Sequence, residues 1–365
     1  MKVLISGGGT GGHIFPALSI ANAIKRHDPQ AEILFVGAEG RMEMERVPAA
    51  GYKIIGLPVA GFDRKHLWRN FRVLWKLFKS MRLAKKVLKE FQPDVAVGVG
   101  GYASGPMLKE AQRHGIPTLI QEQNSYAGVT NKLLAAKANK ICVAYDGMER
   151  FFSADKIVKT GNPVRKNILE VSMSKEDAKR ALDFNPNRPL VVMVGGSLGA
   201  HTLNEAMNIT VRQLLNAGAS VLWQTGKAYS TYCSVAINDI SDENLRIPPF
   251  IDRMDLVYRA ADVLVSRAGA STISEIQLVG VPTILVPSPN VAEDHQRKNA
   301  EALVKEDAAV MLLDNECIEK LEGTIIELLR NPNRRETLTE NVRKMGLHNA
   351  DDAIVAEIMK LVSKN

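Results

Sequence analysis

Short runs of β-branched and other apolar residues alternate along the chain with longer stretches whose apolar positions recur every three or four residues. The first pattern predicts buried strands and the second amphipathic helices, so the alternation predicts βαβ units with parallel sheets. Val3–Ser6, Ile33–Val36, Val95–Val99, Thr118–Gln121 and Lys140–Ala144 are the expected strands of a first half. Leu190–Val194, Ser220–Gln224, Val263–Ser266 and Thr283–Pro287 are those of a second. The second half opens as the first does: Leu190-Val191-Val192-Met193-Val194-Gly195-Gly196 echoes Lys2-Val3-Leu4-Ile5-Ser6-Gly7-Gly8. The expected fold class is therefore α/β, two Rossmann-like domains facing each other across a cleft, with the crossing near Gly161-Asn162-Pro163-Val164-Arg165. A last helix, near Asp351–Leu361, has an apolar face that suits either domain, while Asp351 and Asp352 are expected as surface charge.

One segment carries a different pattern. Leu67, Phe71, Leu74, Phe78 and Met81 form a single helical stripe, with Arg69, Arg72, Lys76 and Lys79 on the opposite side and Trp68 and Trp75 at its flanks. Such a segment either buries its Leu and Phe against a sheet or lies on an anionic membrane surface, where tryptophan suits the boundary. No uninterrupted apolar run reaches the roughly 18 residues that a spanning helix needs.

Composition narrows the class. With 365 residues, 45% hydrophobic and 24% charged, the chain is expected to make about two folded domains, which excludes disordered, collagen-like and disulfide-scaffold proteins. The net charge of +7 is local: ten Lys and Arg lie between Phe62 and Glu90 against two acids, an excess that already exceeds the whole. No aromatic-rich strand motif accompanies that charge, so nucleic acid is not an expected partner. Cys142, Cys233 and Cys317 lie far apart with no CxxC, which points to a reducing, cytoplasmic compartment. Met1–Ser6 is too short for the apolar part of a signal peptide and is expected as the first strand.

The chemistry gathers where strands end. Gly7–Gly12, Gly98–Gly101 and Gly195–Gly199 each follow a predicted strand. Glycine lets backbone amides approach an anion, and a helix N-terminus beyond adds a favourable dipole, although tight strand-to-helix turns need glycine in any case. Gly7-x-Gly9-x-x-Gly12 with Glu39 also fits a dinucleotide-binding oxidoreductase, but that reading leaves the later glycine loops unused. No GxxxxGK[ST] occurs. His13 opens the first helix, where the dipole favours a neutral imidazole able to take a hydroxyl proton, or where the ring simply bonds to backbone. In Ser266–Glu275 the turn amides suit phosphate and Glu275, in the first turn of the following helix, suits a ribose diol; Ser271 or Thr272 with Glu275 would equally form a capping box. Gln296 follows a Pro-bounded strand and can bond sugar hydroxyls as donor and acceptor, or be a solvated helix start. Gln121-Glu122-Gln123-Asn124-Ser125 is a further polar cluster after a strand. No Asp-x-Asp stands at a strand end and no metal ligand set is expected.

Read in order, these segments carry a resemblance. Gly7-Gly8-Gly9-Thr10-Gly11-Gly12-His13, Gly98-Val99-Gly100-Gly101-Tyr102-Ala103-Ser104-Gly105-Pro106, Glu122-Gln123-Asn124, Gly161–Arg165, Gly195-Gly196-Ser197-Leu198-Gly199-Ala200, Ser274-Glu275 and His295-Gln296…Asn299-Ala300 are similar to the motifs of the MurG family of peptidoglycan glycosyltransferases, glycosyltransferase family 28. The resemblance covers essentially the whole chain. It departs in Leu198, where many members have Gln, and in Arg297 and Lys298 before Asn299. It implies a GT-B enzyme, inverting and metal-independent, with no cofactor. N-acetylglucosamine would pass from UDP-N-acetylglucosamine to the C4 hydroxyl of the MurNAc-pentapeptide of lipid I, giving lipid II. Residues 1–162, joined by a C-terminal helix at about 341–365, would bind acceptor and membrane, and 163–340 would bind the donor. Ile251 backbone would meet uracil, Glu275 the ribose, Arg165 and Ser197 the diphosphate side, Ala270, Ser271, Thr272, Ile273 and Ser274 the turn around it, and Gln296 the sugar. Thr10, Gly11, Gly12 and Asn124 would complete the donor contacts. Gly8, Gly9, Gly100, Gly101 and Tyr102 would face the acceptor, with His13 as general base. The implied partners are the anionic inner face of the bacterial cell membrane, held peripherally through Leu67–Lys79, and a wall-synthesis complex. A nucleotide-sugar sensor that binds without transferring remains the alternative to an enzyme.

Overall fold

The computed structural model describes residues 1–60, 70–165, 168–169, 171–196 and 199–363. The chain divides into two compact units, Met1–Val164 with the segment from Leu347 on, and Arg165–Gly346. In the first, β1 (Lys2–Ser6), α1 (Gly11–His27), β2 (Glu32–Ala38), α2 (Glu43–Ala49), β3 (Lys53–Leu57), α3 (Asn70–Phe91), β4 (Val95–Gly98), α4 (Ser104–Arg113), β5 (Thr118–Glu122), α5 (Val129–Ala135), β6 (Lys140–Val143) and β7 (Ile157–Lys159) follow in order. In the second come α6 (Lys175–Ala181), β8 (Leu190–Val194), α7 (His201–Asn216), β9 (Ser220–Gln224), α8 (Ser230–Ala236), β10 (Leu245–Arg246), α9 (Met254–Ala260) and β11 (Val263–Ser266). It continues through α10 (Ala270–Val279), β12 (Thr283–Leu285), α11 (His295–Lys305), β13 (Val310–Met311), α12 (Cys317–Arg330) and α13 (Pro332–Lys344). The chain then returns to the first unit as α14 (Ala350–Val362).

Both sheets are built alike. The first runs β3-β2-β1-β4-β5-β6-β7 and the second β10-β9-β8-β11-β12-β13, and each neighbouring pair is parallel. In each sheet the order turns beside the opening strand, β1 or β8, and the carboxyl end of that strand is where open α/β sheets bind ligands. The central strands are buried on both faces, so Val3-Leu4-Ile5 and Leu190-Val191-Val192-Met193 read as continuous apolar runs. Nine predicted strands are present, several with ends shifted by a residue or two; β3, β7, β10 and β13 were not expected.

The last helix joins the first unit through both faces of its chemistry. Ile354, Val355 and Ile358 enter the core formed by Val3, Ile5, Ile20 and Ile24. Arg26 Nη2 donates to Asp351 Oδ2 at 2.6 Å and Asp352 Oδ1 at 2.8 Å, and His27 Nε2 lies 3.1 Å from Asp352. Asp351 and Asp352 therefore tie α14 to α1 rather than standing as free surface charge, and their place in the first turn of α14 also suits the helix dipole. The helical stretch from 341 to 344 belongs to α13 in the second unit, and the return begins only at Leu347.

α3 is divided. Its second half buries Ala84, Val87 and Leu88 in a core with Leu4, Leu57 and Met107. From Leu74 to Lys79 it is exposed: Leu74, Trp75 and Phe78 are 52, 68 and 59% exposed, and Arg82 stacks over the Phe78 ring at 5.0 Å. The alternative of a helix that buries its Leu and Phe against a sheet does not hold for Leu74 and Phe78. Leu67, Trp68 and Arg69, and the side chains of Phe71 and Arg72, lie outside what the structure describes.

The glycine loops rely on missing side chains in two distinct ways. Gly101 (φ +84°) has backbone of the first loop so close that a Cβ would lie 2.3 Å from Gly8 O, whereas Gly9 (φ +92°) has nothing within 4 Å of that position. Gly9→Ala should cost only its backbone strain, about 1–2 kcal/mol, while Gly101→Ala must also push the first and second loops apart and should cost more. Urea midpoints of the two variants check this, and equal losses would show that the loops do not bear on each other.

Candidate active site

In the first unit two glycine loops, a histidine and a buried carboxylate converge at the carboxyl ends of β1 and β4. α1 starts directly after Thr10, whose backbone is extended and whose side chain leaves the helix uncapped. Thr10 Oγ1 instead shares a hydrogen bond with His13 Nδ1 at 3.1 Å, one turn on. The His13 ring lies against Gly100, where a Cβ would stand 2.8 Å from Nε2. His13 is thus placed between the first and second loops, half-buried, and Tyr102 projects into solvent beside them.

A residue that the sequence reading passed over holds the first loop. Glu43, in α2 and almost fully buried, accepts Gly9 N–H through Oε2 and Ala38 N–H through Oε1, each at 2.9 Å. Its carboxyl lies where a side chain on Gly8 would go. Glu39, the acid that a dinucleotide reading needs, is exposed just beyond β2. No periodic signal marks Glu43; charged residues surround it in the sequence, and it looks solvated there.

The polar cluster after β5 turns inward. Glu122 accepts from Asn124 N (3.1 Å), Gly128 N (2.9 Å) and Asn131 Nδ2 (2.8 Å), and its burial pushes the carboxyl above the usual carboxylate range. Gln123 Nε2 donates to Val99 O at 2.8 Å, and Gln121 Nε2 to Asn162 Oδ1 at 2.8 Å. These bonds fix the loop that carries Asn124, which is half-buried.

In the second unit, the loop after β8 turns through Gly196 (φ +87°) and Gly199 (φ +81°), and at Gly199 a Cβ would strike Thr225 O at 2.3 Å. Ser197 lies outside the described residues. Around β11 the capping box expected from Ser271 or Thr272 with Glu275 is absent. α10 begins at Ala270 behind Gly269, with no side-chain cap, so Glu275 falls in the second turn. The small residues Gly269 and Ala270 start the helix immediately after the strand, earlier than a Ser or Thr cap would. Freed from capping, the Glu275 carboxylate accepts Arg165 Nε (3.2 Å) and Nη2 (3.0 Å) on Oε1, and Tyr258 Oη on Oε2 at 2.8 Å. Burial pushes its carboxyl above the usual carboxylate range, against the opposing pull of Arg165 and Tyr258. Arg165, the first residue of this unit, is thereby brought 110 positions along the sequence to the predicted acid.

The α10 N-terminus retains first-turn amides with no side-chain cap, and Ser271 Oγ is buried there without a hydrogen-bond partner. Ile273 and Ser274 are buried, the Ser274 hydroxyl donating back to Ala270 O at 3.0 Å. Ile251 is half-buried in the loop that enters α9. Gln296, in the first turn of α11, accepts Ser288 N–H on Oε1 at 2.9 Å. The residues just before α11, Glu293 and Asp294, both take left-handed backbone (φ +56° and +54°), a strained entry to a helix. Among the described residues, no cluster of three His, Cys, Asp or Glu side chains is placed to hold a metal.

Comparison with known proteins agrees along the whole chain. The model of the glycosyltransferase family 28 N-terminal domain matches residues 3–143, and that of the C-terminal domain matches residues 190–354. A protein of Parabacteroides distasonis named UDP-N-acetylglucosamine--N-acetylmuramyl-(pentapeptide) pyrophosphoryl-undecaprenol N-acetylglucosamine transferase is 54% identical over 363 residues, 100% of this chain and 99% of its own. The protein of the same name from Phocaeicola vulgatus is 55% identical over 365 residues, 100% of this chain and 97% of its own. The crystal structure of Acinetobacter baumannii MurG superposes with a TM-score of 0.79 at 29% identity, covering 98% of this chain and 99% of that one. With both halves matched and full-length relatives above half identity, this chain of two Rossmann-like halves belongs to glycosyltransferase family 28.

Proposed function

We propose that this protein is a GT-B glycosyltransferase that moves N-acetylglucosamine from UDP-N-acetylglucosamine to the C4 hydroxyl of the MurNAc-pentapeptide of lipid I, giving lipid II, with inversion and without metal. The observation that carries the reading is the pairing, at the end of β11, of a buried carboxylate with an uncapped helix N-terminus. A nucleotide diphosphate offers ribose hydroxyls to the first and anionic oxygens to the second. The full-length relatives bearing the transferase name support the substrate pair.

In this reading the second unit takes the donor. Ile251 backbone meets uracil, Glu275 the ribose, Ser197, Arg165 and the amides from Ala270 to Ser274 the diphosphate, and Gln296 the sugar. Because Gln296 Oε1 already accepts Ser288 N–H, its amide nitrogen supplies the contact as a donor. Departing UDP gains negative charge on its diphosphate, which fixed amides, a helix dipole and Arg165 meet without reorganisation. Thr10, Gly11, Gly12 and Asn124 are further donor contacts.

The first unit takes the acceptor through Gly8, Gly100, Gly101 and Tyr102. Gly9 lines the same loop, but its N–H is committed to Glu43, so it contributes openness rather than a hydrogen bond. His13 is the general base. This role requires the tautomer that donates Nδ1–H to Thr10 Oγ1, which leaves the lone pair on Nε2, beside Gly100, where an acceptor hydroxyl would approach.

The polyprenyl-linked acceptor needs a membrane, and the first half of α3 offers the means. Leu74, Trp75 and Phe78 are exposed together with Lys76 and Lys79, an apolar ridge set in positive charge. Among the described residues no helix is long and apolar enough to cross a membrane; the proposed attachment is peripheral, at the cytoplasmic face, through this ridge.

Transfer of labelled N-acetylglucosamine from UDP onto a lipid I analogue tests the activity, and His13→Ala should lower kcat by at least about 100-fold with donor affinity little changed. Binding without product in the parent would favour a sensor, and an unchanged kcat in the variant would remove His13 as base. Neutralising Arg69, Arg72, Lys76 and Lys79 together should weaken attachment to anionic vesicles by well over tenfold, at about 1 kcal/mol per charge, while UDP affinity holds. Vesicle binding that survives this change would reduce the patch to a solvated helix face.

A further inference from the structure

Glu275 is held by two groups of opposite character. On Oε1 stands the Arg165 guanidinium, whose side chain is 40% exposed; on Oε2 stands the Tyr258 hydroxyl, on a residue 4% exposed. The first tie can be exchanged, because the guanidinium reaches solvent and can turn to another anion, provided that ligand hydroxyls take its place on the buried carboxylate. The second cannot. A buried phenol that leaves its carboxylate strands both a donor and an acceptor where there is no water to replace them.

Tyr258 sits at the fifth position of α9, the helix that follows the Ile251 loop directly, and α9 packs beside α10. Its hydroxyl therefore connects the segment read above as the uracil contact to the acid read above as the ribose contact. It has one proton to give, and burial next to Glu275 keeps that proton in place by pushing the phenol well above its ordinary range.

The geometry points to Tyr258 as the positioning residue for ribose recognition: it anchors Glu275 by Oε2, so that Oε1 is presented to the ribose when Arg165 turns from it to the diphosphate. The exchange is balanced. Ribose hydroxyls replace the two guanidinium N–H donors on Oε1, and the diphosphate gives Arg165 a more strongly charged partner. Tyr258 does not touch the nucleotide in this arrangement, and it acts only through the carboxylate. The inference rests on the donor reading of the second unit.

The test uses the full chain and four forms: the parent, Tyr258→Phe, Glu275→Gln and the double variant. UDP and 2′-deoxy-UDP are the probes, with affinities from calorimetry and KM and kcat for UDP-N-acetylglucosamine alongside. Phenylalanine keeps the ring and its buried packing, and the melting temperature of each variant records any loss of fold. The parent should favour UDP over the deoxy form. Tyr258→Phe should weaken UDP about tenfold, the scale of one hydrogen bond to a charged group, with a smaller effect on 2′-deoxy-UDP. Its KM should rise with kcat within about twofold, and the double variant should be no less discriminating than Glu275→Gln alone. A Tyr258→Phe enzyme that keeps the parent's ribose discrimination, while Glu275→Gln loses it, would overturn the positioning role and leave the donor site standing. If Glu275→Gln also keeps that discrimination, the ribose assignment itself falls, and the inference with it.

Discussion

In each unit the chain must leave the carboxyl end of the opening strand and enter a helix through backbone that side chains cannot follow. After β1 the turn passes through Gly8 and Gly9 at φ +142° and +92°, and after β8 through Gly196 and Gly199 at +87° and +81°. Where these loops meet their neighbours, a single Cβ would strike a carbonyl oxygen at 2.3 Å, from Gly101 to Gly8 or from Gly199 to Thr225. The closeness that excludes side chains is what exposes amides and helix ends to an anion. Everything else of chemical interest is placed relative to these turns: His13 in the opening turn of the helix that follows, and Glu275 on the helix that opens after the neighbouring strand β11.

Buried carboxylates then set what each loop can do, and their partners separate structure from chemistry. Glu43 is answered by two backbone amides, and Glu122 by two backbone amides and the side chains of Asn131 and Asn124. Each holds backbone amides of a loop, so both acids serve as internal struts. Glu275 is answered by side chains alone, one of them partly in solvent. It is the only one of the three whose partners can be traded for a ligand's hydroxyls without breaking the backbone. A buried acid held this way is costly to leave unpaired, so a ligand that draws Arg165 away must supply hydroxyls in its place.

The central strands and the repeated strand–glycine–helix opening were legible because doubly buried strands are continuous apolar runs. The edge strands were not. β7, β10 and β13 are two or three residues long and half-exposed, and β3 is interrupted by Gly56, so neither alternation nor a solid run announces them. Glu275, proposed above as the donor acid, was identifiable from its place after a strand, but its helix start was misplaced. Ser and Thr suggested a cap, while the chain begins α10 on the small residues Gly269 and Ala270. Glu43 and Tyr258 left no local signature, since their roles come from contacts 34 and 17 positions away in the sequence. The exposed first half of α3 shows the converse. Its stripe is helical as periodicity demands, yet periodicity says nothing about whether the apolar face is covered.

The central claim is that the second unit, around the end of β11, takes the nucleotide. Hydrogen–deuterium exchange of the full chain with and without UDP-N-acetylglucosamine tests it most directly, because bound ligand slows exchange of the amides it covers. The account predicts its largest new protection in Arg267–Glu275 and in the loop around Ile251. Protection confined to Gly7–His13, with the β11–α10 turn unchanged, would contradict it and would place the nucleotide where a dinucleotide-binding oxidoreductase holds one.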